Sequence, residues 1–127
     1  MDLIATNVYS GKLSDRVIIH GACIEDDWPE ILDEVGKGMT RLSVCPECIH
    51  ISTIVEKVAS MLAKSDIKEL TVLTKDGSPH CIGLHYAVEW ARTMSKSNPK
   101  LNYCVIEHGK LFHIPEGKIK EKRHLSR

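Results

Sequence analysis

Residues 69–74 read Glu69-Leu70-Thr71-Val72-Leu73-Thr74, and they decide how the rest of the chain is read. Leu70 and Val72 alternate with Thr71 and Leu73, so the segment is apolar or β-branched on both faces, as a strand buried inside a parallel sheet is. A helical stripe lies on each side of it. Upstream, Ile51, Ile54, Val55, Val58, Met61 and Leu62 recur at helical spacing; downstream, Leu84, Ala87, Val88, Ala91 and Met94 do the same. Further out, Arg41 to Val44 and Leu101 to Ile106 read as strands, and Lys110 to Ile114 returns as a hairpin partner across His108-Gly109. From residue 40 the order is therefore β-α-β-α-β-β. Connections of this length imply parallel pairing through right-handed crossovers, with helices packed on the sheet. The expected class is α/β: a small two- or three-layer domain with a mostly parallel sheet and a C-terminal β-hairpin.

The first 39 residues form a less regular lead-in. Leu3 to Tyr9 and Arg16 to Ile19 are apolar enough for two strands. Asp27 reads as the cap of a short helix through Ile31, Leu32 and Val35, ended by Gly36 and Gly38. With 127 residues, the chain has the length of one domain. It is read here as a single α/β domain over 1–117, comprising the lead-in and a βαβαββ core over 40–117. A basic tail follows over 118–127, with five Lys/Arg against one Glu.

Lys plus Arg and Asp plus Glu number 17 each, so the formal charge is zero, which disfavours a nucleic-acid partner. No apolar run approaches the roughly 18 residues of a membrane span, and Asp2 stands where a secretory signal carries positive charge. The expectation is a cytoplasmic protein without a membrane partner. Its ligand is a small molecule or another protein, and a homodimer is one arrangement to test. Five cysteines and seven histidines stand out against a single phenylalanine. Too few for a disulfide scaffold and odd in number, the cysteines suggest thiols, metal ligands or core residues.

The two strand-to-helix junctions are built alike. Shifting the chain by 33 residues lays Pro46-Glu47-Cys48-Ile49 on Pro79-His80-Cys81-Ile82. With Cys45 and Ser78 as helix caps and proline at the first helical position, Cys48 and Cys81 fall in first turns, where helix N–H groups favour a thiolate. If the two strands are neighbours, both loops open on one rim of the sheet. That rim offers Cys45, Cys48, His50, Asp76, His80, Cys81 and His85. Cys45 and Cys48 form a C-x-x-C, and Cys81 and His85 stand one helical turn apart.

The leading expectation is a zinc site held by Cys45, Cys48, Cys81 and His85, with His50 or His80 as alternative ligands. His80, near a helix start that favours its neutral ring, is the general-base candidate beside a zinc-bound water; Asp76 is the acceptor that would orient it. Such a site would suit a metal-dependent hydrolase or lyase, if it is catalytic at all. An iron–sulfur cluster is the variant and would need a fourth thiolate from Cys23 or Cys104. A metal-free dithiol oxidoreductase using Cys45 and Cys48 is the alternative class, and a rim that docks a partner over a structural zinc is a third. Cys23 and Cys104, in apolar surroundings, read as core residues. His20, His108, His113 and His124 have no partner at ligand spacing. Trp90 lies opposite its helix's apolar stripe and is a candidate for covering an interface.

Two resemblances bear on these alternatives. Ser43-Val44-Cys45-Pro46-Glu47-Cys48, between a strand and a helix, resembles the active-site loop of thioredoxins and glutaredoxins. That implies Cys45 as the attacking and Cys48 as the resolving thiol. The βαβαββ order and the hairpin at Gly109-Lys110 are similar to that fold, but no proline directly precedes the hairpin strand. The second resemblance is to β-class carbonic anhydrases, which hold zinc by a cysteine ending one strand and a His-x-x-Cys after the next. Cys45 matches the first ligand; the adjacent His80-Cys81 and the missing Asp-x-Arg depart from that pattern. What this second likeness implies is limited to a precedent for zinc on a sheet rim.

Overall fold

The computed structural model describes residues 1–7, 13–75 and 79–115, with Pro79 and His80 described by their backbone alone. Five strands form one sheet: β1 (Arg16–Gly21), β2 (Thr40–Val44), β3 (Glu69–Lys75), β4 (Lys100–Glu107) and β5 (Lys110–Ile114). Their spatial order is β2-β1-β3-β4-β5. The first four are parallel and β5 closes antiparallel on β4. Between them run α1 (Ile24–Asp27), α2 (Pro29–Val35), α3 (Ile51–Lys64) and α4 (Pro79–Ser95). The α/β class, the mostly parallel sheet and the C-terminal hairpin all stand as expected.

Alternation along the strands explains why helices cover both faces. Val17, Ile19, Leu42, Val44, Leu70, Val72, Tyr103 and Val105 point one way and pack with Ile54, Val58, Leu84 and Val88 of α3 and α4. Ile18, Leu73, Cys104 and Ile106 point the other way and pack with Ile24 and Leu32 of α1 and α2. The domain is therefore three layers deep; β1, with Val17, Ile18 and Ile19 all fully buried, is an interior strand beside the central β3. No helix among the described residues is long and apolar enough to cross a membrane.

Several sequence expectations need correction. Leu3 to Tyr9 is not a strand as far as it is described: Asp2 makes an isolated parallel bridge to Ser43, and a turn follows. Residues 8–12 lie outside the described residues. The short helix is capped at Trp28, one residue later than Asp27, after a separate turn of helix at Ile24–Asp27. The larger difference concerns order. β2 and β3 are not neighbours; β1 hydrogen-bonds to both and separates them. The basic tail lies outside the described residues.

The hairpin depends on its turn. His108 and Gly109 both adopt positive φ, 51° and 76°. This is the two-residue geometry whose twist matches that of the flanking strands. A β-branched residue is strained there. Gly109→Val is therefore expected to lower the unfolding free energy by about 2 kcal/mol in urea titration. Gly109→Asn, whose side chain tolerates this conformation, should lose well under half as much; equal losses would show that the turn is not the cause.

Candidate thiol site on the sheet rim

The carboxyl ends of the four parallel strands form one rim. The chain leaves β1 toward β2 on one side and reaches β3 on the other, so the winding reverses beside β1. In open α/β sheets, ligand crevices lie at that reversal. Ala22 N–H donates to the Val44 carbonyl at 2.9 Å, which ties the loop after β1 to the end of β2.

Beyond Val44 the chain does not enter a helix directly. Cys45-Pro46-Glu47-Cys48-Ile49 makes a single tight turn, with the Cys45 carbonyl accepting from the N–H groups of Cys48 at 3.0 Å and Ile49 at 3.1 Å. Helix α3 starts six residues after Cys45, at Ile51. Its cap is His50, whose Nδ1 accepts from Ser52 N–H at 3.2 Å and lies 2.7 Å from Ser52 Oγ. Cys48 is thus not in the first turn of α3, and the expected stabilisation of a thiolate by that helix is absent. In α4, which begins at Pro79, Cys81 does lie in the first turn.

The turn supplies a different source of thiolate stabilisation. The Cys45 sulfur accepts the Cys48 S–H, then the Cys48 N–H, with a smaller contribution from the Glu47 N–H. Together these hold the Cys45 thiol below the ordinary range against a small burial cost and the Glu47 charge. Cys48 is shifted the opposite way. Its proton is held by the hydrogen bond to Cys45, and the charge on Cys45 opposes a second anion beside it. Cys45 is partly exposed and Cys48 exposed, so the pair meets solvent at the rim. One thiolate and one thiol in contact can act as nucleophile and resolving group, or serve as two soft metal ligands.

The remaining predicted site residues are dispersed. Cys81 is 7% exposed, at the start of α4. Its parent strand β3 stands two strand spacings from β2, roughly 10 Å, whereas sulfurs sharing a zinc ion at 2.3 Å lie about 4 Å apart. His85 turns away from the rim and into the core. Its Nε2 lies 2.8 Å from Thr74 Oγ1, and its ring meets Tyr103 edge-on at 5.0 Å. Burial alone pushes its pKa down to about 3. Asp76 lies outside the described residues, as does the side chain of His80. Among the described residues, no group of three or more His, Cys, Asp or Glu side chains converges as a metal would require.

Topology places at the rim residues that spacing alone did not single out. Cys23, read as core, follows β1 and so stands between the β2 and β3 loops, half-buried against Trp28 and Ile24. His20 is fully buried in β1. Its Nδ1 lies 2.9 Å from the Gly21 carbonyl and its Nε2 3.6 Å from Glu25 Oε1. Burial depresses its pKa, partly countered by that carbonyl and by Glu25. The only sequence signal for this pair was position at a strand end. Cys104 is buried with Sγ 3.5 Å from His113 Nδ1, and its pKa is raised to about 11 by burial, which makes it an inert thiol at neutral pH.

No curated protein and no solved structure matches the chain. A family model does, over residues 12–126, which takes in the whole of the described sheet. The reversal of winding at β1, the three layers and that match agree: the chain belongs to the Rossmann-like domain family.

Proposed function

We propose that this protein is a dithiol–disulfide oxidoreductase in which Cys45 attacks and Cys48 resolves. The observation that carries it is the tight turn that sets Cys48 against Cys45, with the Cys48 N–H donating to the Cys45 carbonyl at 3.0 Å, where the two thiols push each other's pKa in opposite directions. The Cys45 thiolate attacks one sulfur of a substrate disulfide, forming a mixed disulfide and releasing the other sulfur as thiolate. Once Cys45 is so bonded, its charge is gone, and with it the main reason that Cys48 holds its proton. Cys48 then loses that proton to solvent and attacks the Cys45 sulfur. The substrate's second thiolate leaves, and a Cys45–Cys48 disulfide remains. Two electrons have passed to the substrate, and a small dithiol restores the pair.

Alkylation of the native chain with iodoacetamide across pH tests this, with peptide mass analysis to identify the modified residue. Cys45 should react first, with a midpoint below the roughly 8.5 of an ordinary thiol, and Cys104 last. Zinc binding by the same two thiolates remains the competing proposal, since they would supply half of a coordination set. About one zinc per chain in material purified without chelator, with both thiols shielded from alkylation, would overturn the redox reading in its favour. Visible absorbance with bound iron would do so in favour of a cluster.

A further inference from the structure

A second surface lies along the outer side of α3 and α4, away from the chemistry of the thiols. The two helices pack side by side on one face of the sheet. Their solvent side carries an apolar groove of about 670 Å³, lined by Ile51 and Val55 from α3 and by Tyr86, Trp90 and Met94 from α4. Of the residues lining it, only Glu56 is charged. Ile51 is 41% exposed, Tyr86 42%, Met94 59% and Trp90 66%. The sequence stripe had placed Met94 in the core; instead it joins Trp90 on the outside.

We infer that this face is the contact between two copies of the chain. At some 150–250 Å² for a large side chain, the exposed parts of these four leave on the order of 400 Å² of apolar surface. Interfaces are about 60% apolar. That area therefore corresponds to roughly 700 Å² a side, close to the ~800 Å² per partner of a standard stable interface. The shape suits a copy of itself, because the exposed Trp90 is itself part of the groove's lining, so that the side chain to be seated and the hollow share one face. A two-fold axis then seats each Trp90 in the other chain's groove. Tryptophan and tyrosine are the side chains on which such contacts most often depend. The near absence of charge fits an interface core, and the lack of Lys or Arg along the groove argues against anionic lipid, which basic flanks would attract.

Sedimentation equilibrium of the full chain from 1 to 100 μM is the test. A species of twice the 14.2 kDa chain mass should predominate at the upper end. Trp90→Ser should raise the dissociation constant at least about tenfold while leaving the far-ultraviolet circular dichroism unchanged. Met94→Ser should shift it in the same direction, so the result does not rest on one variant. Phe112→Ser, at an exposed apolar residue outside the groove, should leave the constant as it is. A chain that stays monomeric at 100 μM overturns the inference, and so does a dimer indifferent to both groove substitutions.

Discussion

Cys45→Ser is expected to eliminate the proposed disulfide turnover, by at least about a thousandfold, because the attacking sulfur would be gone and no other described thiol shares its hydrogen-bond donors. Cys48→Ser behaves differently. The first exchange still proceeds at Cys45, but nothing displaces the substrate, and a mixed disulfide accumulates that mass spectrometry detects on Cys45. Cys48→Ala removes the first and largest cause of the lowered Cys45 pKa and leaves the two backbone N–H donors in place. Its alkylation midpoint should move up toward that of a free thiol. A purely structural role for Cys48 would not move that midpoint. Wild-type-like turnover of an aromatic disulfide by Cys45→Ser, with a small dithiol as reductant, would sink the proposal outright.

Acidification should weaken the fold through His85. Well above pH 6.5 its ring is neutral whether the chain is folded or not. Between 6.5 and about 3 the unfolded chain binds a proton that the folded chain excludes, so unfolding becomes easier as pH falls. The stabilising difference is intact above the unfolded pKa and declines steadily until pH reaches about 3. At pH 5 the loss from this one residue is about 2 kcal/mol relative to pH 7. His20, also buried with a lowered pKa, acts in the same direction. His85→Gln keeps a hydrogen-bonding group near Thr74 but cannot titrate. It should lower stability at pH 7 and yet show a visibly shallower decline in urea unfolding between pH 7 and 5. An identical pH slope in the variant would mean that His85 is not the sensor.

The sequence made some features of this domain legible and hid others for definite reasons. Strand β3 and both long helices were readable because apolar period reports which residues face a core. The start of α4 was readable from Pro79. The start of α3 was not. Cys45-Pro46-Glu47-Cys48 has the form of a capped helix start, yet the chain uses it as a turn and lets His50, outside the usual capping set, begin the helix. Strand order was the decisive omission. Periodicity says that a strand is buried, not which strand lies beside it, so nothing local revealed that β1 separates β2 from β3. The four-ligand zinc set depended on that adjacency. The Cys45–Cys48 pair did not, because its contact is made within four residues.

The position of β1 between β2 and β3 also bears on how the chain acquires its shape during synthesis. Strand β1 must wait for β3, whose Glu69 lies roughly fifty residues after its partner Arg16, before its second edge is paired, and such distant pairings delay folding. As the chain emerges from the ribosome, the Cys45–Cys48 segment therefore leaves well ahead of β3, the strand that closes the second edge of β1.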